Sequence, residues 1–179
     1  MDLKETQLKR SVKFTNAFLE VIEDDVRLPD GKTSKRIVVK HVGAASVLPV
    51  LSNKNLLLVR QYRYAISRES LEIPAGKKAF SGEPGMQCAK RELEEETGYT
   101  SDLFSHLQDI YSAIGFSDEL VEIFLAKDCV KLDVQPKGDD DEFIELVEIS
   151  LEAALEKVSS GEIRDAKTVV AILAYARQI

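Results

Sequence analysis

Arg91-Glu92-Leu93-Glu94-Glu95-Glu96 packs four carboxylates into five consecutive positions just ahead of Gly98. Pro84 suits a first helical turn and Gly98 the position just past a helix end, so residues 84–97 read as a helix. A helix advances ~100° per residue, which puts Glu92 and Glu96 ~40° apart on the wheel and one turn apart along the axis. Glu95 stands beside Glu92 at i+3. Like charges at this spacing repel by roughly a few tenths of a kcal/mol per pair, and the helix macrodipole disfavours anions near its C-terminus. A cation removes both penalties. Mg²⁺ takes hard oxygen ligands and keeps part of its water shell, so it is the natural candidate, with Mn²⁺ a possible substitute. Over these residues alone, a solvated glutamate face with Arg91 paired to Glu95 at i+4 is the more usual reading. The rest of the chain decides between the two.

The elements that must position this helix can be read on either side of it. Residues 1–13 are polar and are expected to be loosely ordered. Residues 14–42 read as strands with a hairpin at Leu28-Pro29-Asp30-Gly31, where Pro presets φ and Gly tolerates a positive one. Strands are expected at 44–51 and 55–62 around a Ser52-Asn53-Lys54 turn, with a short one at Leu71-Glu72-Ile73-Pro74. The helix buries a stripe of Met86, Ala89, Leu93 and Thr97. Strands at 107–114, 120–127 and 145–150 follow, with a polar loop at 134–141. Ser150 caps a helix over 151–159 and Asp165 a last one to about Arg177. Runs of strands and helices with little βαβ alternation predict an α+β fold, a mixed sheet flanked by helices.

The chain has 179 residues, 44% hydrophobic and 31% charged, enough for one ordinary globular core. A net charge of −7 gives no electrostatic footprint for a nucleic-acid backbone or an anionic membrane, so neither is expected as a partner. A small anionic ligand would need local Arg, Lys or metal. Cys88 and Cys129 form no metal or redox motif, the first residues carry no apolar leader, and no apolar run approaches the ~20 residues of a membrane span. A cytoplasmic protein is expected.

Residues 76–99 resemble the signature of the Nudix hydrolases: Glu83, seven residues, Arg91-Glu92-Leu93, Glu95-Glu96, Gly98. The chain departs from that signature in one extra residue between Gly76 and Glu83 and in Tyr99 at the closing aliphatic position. The insertion falls in the loop before the helix, where it is cheap. The resemblance extends to the branch that hydrolyses ADP-ribose and other nucleoside diphosphate sugars, through Val59-Arg60-Gln61-Tyr62-Arg63, Leu71-Glu72-Ile73-Pro74-Ala75-Gly76, Gly115-Phe116-Ser117-Asp118-Glu119, Asp141-Glu142-Phe143-Ile144-Glu145 and Ser160–Thr168.

That resemblance implies a Nudix-type α/β/α sandwich over 44–179, with an N-terminal antiparallel β-subdomain over 1–43 that serves homodimerisation. It implies metal ligation by Glu92, Glu96, Glu95, the Ala75 carbonyl and Glu142, and a structural Glu83–Arg91 pair. Glu142, Asp140 or Glu95 would act on the attacking water. Arg63, with Arg60 as second choice, would grip the diphosphate, since a guanidinium matches phosphate oxygens bidentately. Glu72, Phe116, Asp118 and Glu119 would complete the substrate site. ADP-ribose-specific members carry Pro where this chain has Ile114, which widens the expected range to nucleoside diphosphate sugars, ADP-ribose among them. A Nudix hydrolase of another nucleotide diphosphate, or a non-catalytic sensor of nucleotide sugars, are the competing readings.

Overall fold

The computed structural model describes residues 2–138 and 143–179. The chain divides into two compact units, Met1–Gly43 with Tyr111–Leu120, and Ala44–Ile110 with Val121–Ile179.

The first unit is built on a three-stranded antiparallel sheet, β1 (Thr6–Thr15), β2 (Leu19–Arg27) and β3 (Thr33–His41). The expected hairpin joins β2 to β3. Leu28 N–H bonds Lys32 O, and Gly31 takes a positive φ of 86°. The expectation of loose order over 1–13 is overturned, because β1 begins at Thr6 and pairs along β2. Its residues carry little hydrophobic signal. Order comes from the partner strand, including a two-pronged bond from Arg10 to Asp24 at 2.9 and 2.7 Å. Asp24 alternates with buried Ile22 and Val26 on one face of β2, so a cation there offsets the desolvation of its carboxylate. The segment after Tyr111 adds to this unit. Val39 and Ser117 form a parallel bridge, and Val39 N–H bonds Phe116 O at 2.7 Å.

The second unit holds the mixed sheet. Its backbone order is β11 (Ile144–Ile149), β5 (Leu56–Arg63), β4 (Ala44–Leu51), β10 (Leu120–Lys131) and β8 (Tyr99–Thr100). β6 (Arg68–Glu72) pairs β5, β7 (Ala75–Lys77) pairs β4, and β9 (Leu103–Tyr111) pairs β10. β4 and β10 run parallel, while β5 is antiparallel to β4, β6 and β11. β4 is buried on both faces, which explains its unbroken apolar sequence. One face packs Ala45, Val47, Leu51 and Leu57 against Cys88, Ala89 and Leu93 of helix α1 (Gly85–Thr97). The other packs Leu48, Val50, Leu56 and Leu58 against α2 (Leu151–Ser160) and α3 (Ala166–Ala176). This is an α/β/α sandwich of α+β class. Ser150 and Asp165 cap α2 and α3 as their side chains predict, each cap contributing about 1 kcal/mol. No helix among the described residues is long and apolar enough to cross a membrane.

Candidate active site

Helix α1 begins after Pro84 and stops at Gly98, whose φ of 69° is left-handed and whose N–H bonds Glu94 O. Its buried face is not quite the stripe that periodicity suggests. Cys88, Ala89 and Leu93 form the apolar part, Met86 is exposed, and Glu92 and Glu96 are themselves buried, each 8% exposed. Two carboxylates one turn apart have been taken out of water on the face that meets the sheet. At its N-terminus the helix abuts β10. A Cβ on Gly85 would collide with the Glu122 carboxylate, which pairs with Lys78 at 2.6 Å.

The opposing wall is the turn from β6 into β7. Ala75 N–H donates to Glu96 Oε2 at 3.3 Å. Gly76 lies so close that any Cβ there would run into the Glu92 carboxylate. The backbone of Ala75–Gly76 therefore closes over Glu92 and Glu96, and a side chain at 76 would oblige the Glu92 carboxylate to shift. Arg91 completes the cluster. Its Nη1 contacts Glu92 Oε1 at 2.6 Å and Glu95 Oε2 at 3.0 Å, and its Nη2 bonds Lys77 O at 3.1 Å. Burial works against the guanidinium charge, but Glu92 and Glu95 outweigh it and hold its pKa above the usual value. The expected Glu83–Arg91 pair is present only at 3.9 Å. Glu83 instead accepts Ala79 N–H at 2.6 Å, tying the preceding loop.

The donor set suits a hard divalent cation. Glu92, Glu95 and Glu96 offer carboxylate oxygens and the Ala75–Gly76 backbone adjoins them. Among the described residues no three His, Cys, Asp or Glu side chains converge as a ready-made cage; Arg91 stands between Glu92 and Glu95. The expected Glu142 and Asp140 lie outside the described residues.

Arg63 and Arg60 part company. Side chains alternate along β5, and the register pairs Arg60 with Glu145 of β11 and Arg63 with Arg68 of β6. Three residues apart on a strand means opposite faces. Arg60 makes an exposed ion pair with Glu145 at 3.2 Å beside Tyr62 and Phe143. Arg63 turns to Glu72 and grips it with Nε at 2.8 Å and Nη2 at 2.7 Å. Lys167, from the first turn of α3, reaches the same carboxylate at 2.6 Å. Burial alone would raise the Glu72 pKa, but the hydrogen bond from Arg63 and the charge of Lys167 outweigh it and bring it down to about 2. The Glu96 charge also acts on Arg63. A cavity of about 580 Å³ opens here, lined by Arg63, Arg68, Arg164 and Lys167 with Ser70, Glu72 and Asp165 among the rest. Four cations face two carboxylates. Lys167, Arg68 and Arg164 were not singled out from the sequence. The available signal was Asp165-Ala166-Lys167-Thr168, where a helix cap sets a lysine in the first turn.

Phe116, Asp118 and Glu119 lie in the first unit. Asp118 pairs with Lys40 at 2.5 Å and accepts His41 N–H at 2.9 Å, while Glu119 takes Ser112 Oγ at 2.6 Å. Both carboxylates anchor their loop to β3 or to itself, leaving Phe116 and Ile114 exposed.

A family model described as NUDIX domain matches residues 40–170. The chain is 42% identical over 170 residues to the ADP-ribose pyrophosphatase of Bacillus subtilis (strain 168), covering 95% of this chain and 91% of that protein. It is 37% identical over 169 residues to the methanol dehydrogenase activator of Bacillus methanolicus, covering 94% and 91%. It is 31% identical over 179 residues to the GDP-mannose pyrophosphatase of Cronobacter sakazakii (strain ATCC BAA-894), covering 95% and 94%. A crystal structure of an ADP compounds hydrolase shares the fold, with a TM-score of 0.85 at 20% identity over 99% of this chain and 96% of that one. With the glutamate helix, its glycine-backed wall and these matches together, the chain belongs to the NUDIX family.

Proposed function

We propose that this protein is a Mg²⁺-dependent hydrolase of nucleoside diphosphate sugars, ADP-ribose among them, releasing a nucleoside monophosphate and a sugar phosphate. The observation that carries the reading is the burial of Glu92 and Glu96 against the Ala75–Gly76 backbone. Buried carboxylates stacked along one helix face are costly unless a cation or hydrogen bonds compensate them. The pyrophosphatase names of the relatives from Bacillus and Cronobacter support the substrate class.

Glu92, Glu95 and Glu96 would hold the metal, with the Ala75 carbonyl and Glu142 as further oxygens. Bound there, a divalent cation supplies charge screening and acidifies water. The protein's own groups do the rest. Arg63 and Lys167, with Arg68 and Arg164 at the cavity rim, offset the charge of the bridging diphosphate. Glu72 holds Arg63 and Lys167 in place, so the guanidinium fork is preorganised. A carboxylate, Glu142 with Asp140 and Glu95 as alternatives, takes the proton of the attacking water. Its oxygen bonds phosphorus, the bridging P–O bond breaks, and the leaving phosphate departs as an anion beside the same cations. Arg60 faces away from this cavity, which leaves Arg63 as the diphosphate clamp. Asp118 and Glu119 hold the loop that carries Phe116.

A panel of nucleoside diphosphate sugars, dinucleotides and nucleoside triphosphates, incubated with Mg²⁺ and analysed for products, tests the substrate class. Turnover of ADP-ribose or GDP-mannose to two monophosphates is expected. Inert nucleotide sugars beside a rapidly cleaved triphosphate would overturn it. The 1–43 segment is read as the dimerisation unit, because Leu8, Val12, Phe14 and Ile37 on its strands are exposed. A concentration-independent monomer in sedimentation would refute that. Cytoplasmic residence is part of the same reading, supported by two free, buried cysteines whose thiols burial pushes up to about 11.

A further inference from the structure

The cavity beside Glu72 holds two kinds of cation. Arg63 and Lys167 are committed: both bind the buried Glu72 carboxylate, and Lys167 also pairs with Asp165 at 3.0 Å. Arg68 and Arg164 are not. Arg68 is exposed at the start of β6 and has no carboxylate partner among the described residues. Arg164 donates its Nε–H to Gly161 O at the end of α2 and pairs with no carboxylate there. Both line the same cavity. In a chain of net charge −7, two such arginines in one concavity make a local positive field that favours an anion.

The strand register is a second observation. Arg68 stands directly opposite Arg63 across the β5–β6 ladder, and like charges in that relation repel. Arg63 relieves the repulsion by reaching back to Glu72, four residues further along β6 and roughly 13 Å of strand away from Arg68. Its guanidinium is thereby carried toward α1, where the Glu96 charge acts on it. Arg68 stays at the outer end of the cavity, and Arg164 stands on the wall formed by the segment before α3. A diphosphate clamped by Arg63 therefore lies inward of this pair. Guanidinium groups match phosphate and carboxylate oxygens in two-pronged fashion. We propose that Arg68 and Arg164 form an outer anion subsite, which selects substrates carrying a phosphate or carboxylate group outside the bridging diphosphate. This rests on the reading of the cavity as the nucleotide-sugar site.

Two pairs of substrates, each differing by one anionic group, test this with the full-length protein and Mg²⁺ at about 0.15 M salt, where long-range attraction is screened. ADP-ribose against its 2′-phosphate places the extra anion at the nucleoside end. UDP-glucose against UDP-glucuronate places it at the sugar end. In one pair the more anionic member is expected to have a kcat/KM about tenfold higher, the lower end of what hydrogen bonds to a charged group supply. The pair that shows it locates the anion. Arg68→Gln and Arg164→Gln should each bring that ratio down toward one. Arg68→Lys, which keeps the charge and loses the fork, should retain part of it, as a merely structural role would not require. A ratio below about twofold in every pair that is turned over overturns the proposal. So does a preference that survives in either Gln variant. If none of the four compounds is hydrolysed, the substrate reading and this inference fall together, whereas turnover without the preference sinks this inference alone.

Discussion

Glu72 offers a sharp test, because its environment sets both a stability and a pH window. Its side chain is 3% exposed and is held by Arg63 and Lys167. The folded pKa of about 2 lies below the ordinary 4.5. A depressed carboxylate contributes stability that is full above the unfolded pKa and is lost as pH falls through the folded one. The window is therefore between about 4.5 and about 2. At neutral pH the shift corresponds to about 3 kcal/mol, falling to about 1.4 kcal/mol at pH 3. Replacement by Gln keeps the shape, removes the charge and takes from Arg63 and Lys167 the buried carboxylate they share, a change of similar size. Urea denaturation of wild type and Glu72→Gln at pH 7 and pH 3 measures both numbers. The variant should be about 3 kcal/mol less stable at pH 7, with roughly half that deficit at pH 3. A deficit under 0.5 kcal/mol at pH 7, or one that does not change with pH, would refute the reasoning.

Arg63→Ala should cost about a hundredfold or more in kcat/KM for a nucleoside diphosphate sugar, in line with loss of a preorganised clamp, and Arg60→Ala far less; equal losses would mean that both arginines reach one diphosphate. Gly76→Ala should weaken Mg²⁺ binding by displacing the Glu92 carboxylate, and calorimetry with Mg²⁺ alone reads this out. Asp165→Ala should destabilise by about 2 kcal/mol, because it removes both the α3 cap and a partner of Lys167; a thermal melt unchanged from wild type would show that the cap is idle.

The helix and its carboxylates were legible because helical periodicity, Pro84 and Gly98 agree with the Nudix signature, so local and long-range signals coincide. The caps at Ser150 and Asp165 were readable for the same reason, each side chain specifying its own local bond. β1 was not, because a polar strand is ordered by its partner and carries no pattern of its own. Met86 falls on the apolar stripe yet faces solvent, while Glu92 and Glu96 take buried places that hydrophobic periodicity assigns to apolar residues. Parity along β5 would have separated Arg60 from Arg63, since residues three apart in a strand point opposite ways. Lys167 was beyond reach, as it meets Glu72 only after α3 docks on the sheet, 95 residues away in sequence.

The α1 carboxylates are proposed to drive hydrolysis of a nucleotide sugar. Glu96→Gln preserves shape and removes one metal-facing charge. Hydrolysis of ADP-ribose to AMP and ribose 5-phosphate, followed with Mg²⁺ for wild type and variant at matched thermal stability, addresses it directly. Wild type should turn over, and kcat should fall by several orders of magnitude in Glu96→Gln. Wild-type rates in the variant would contradict it.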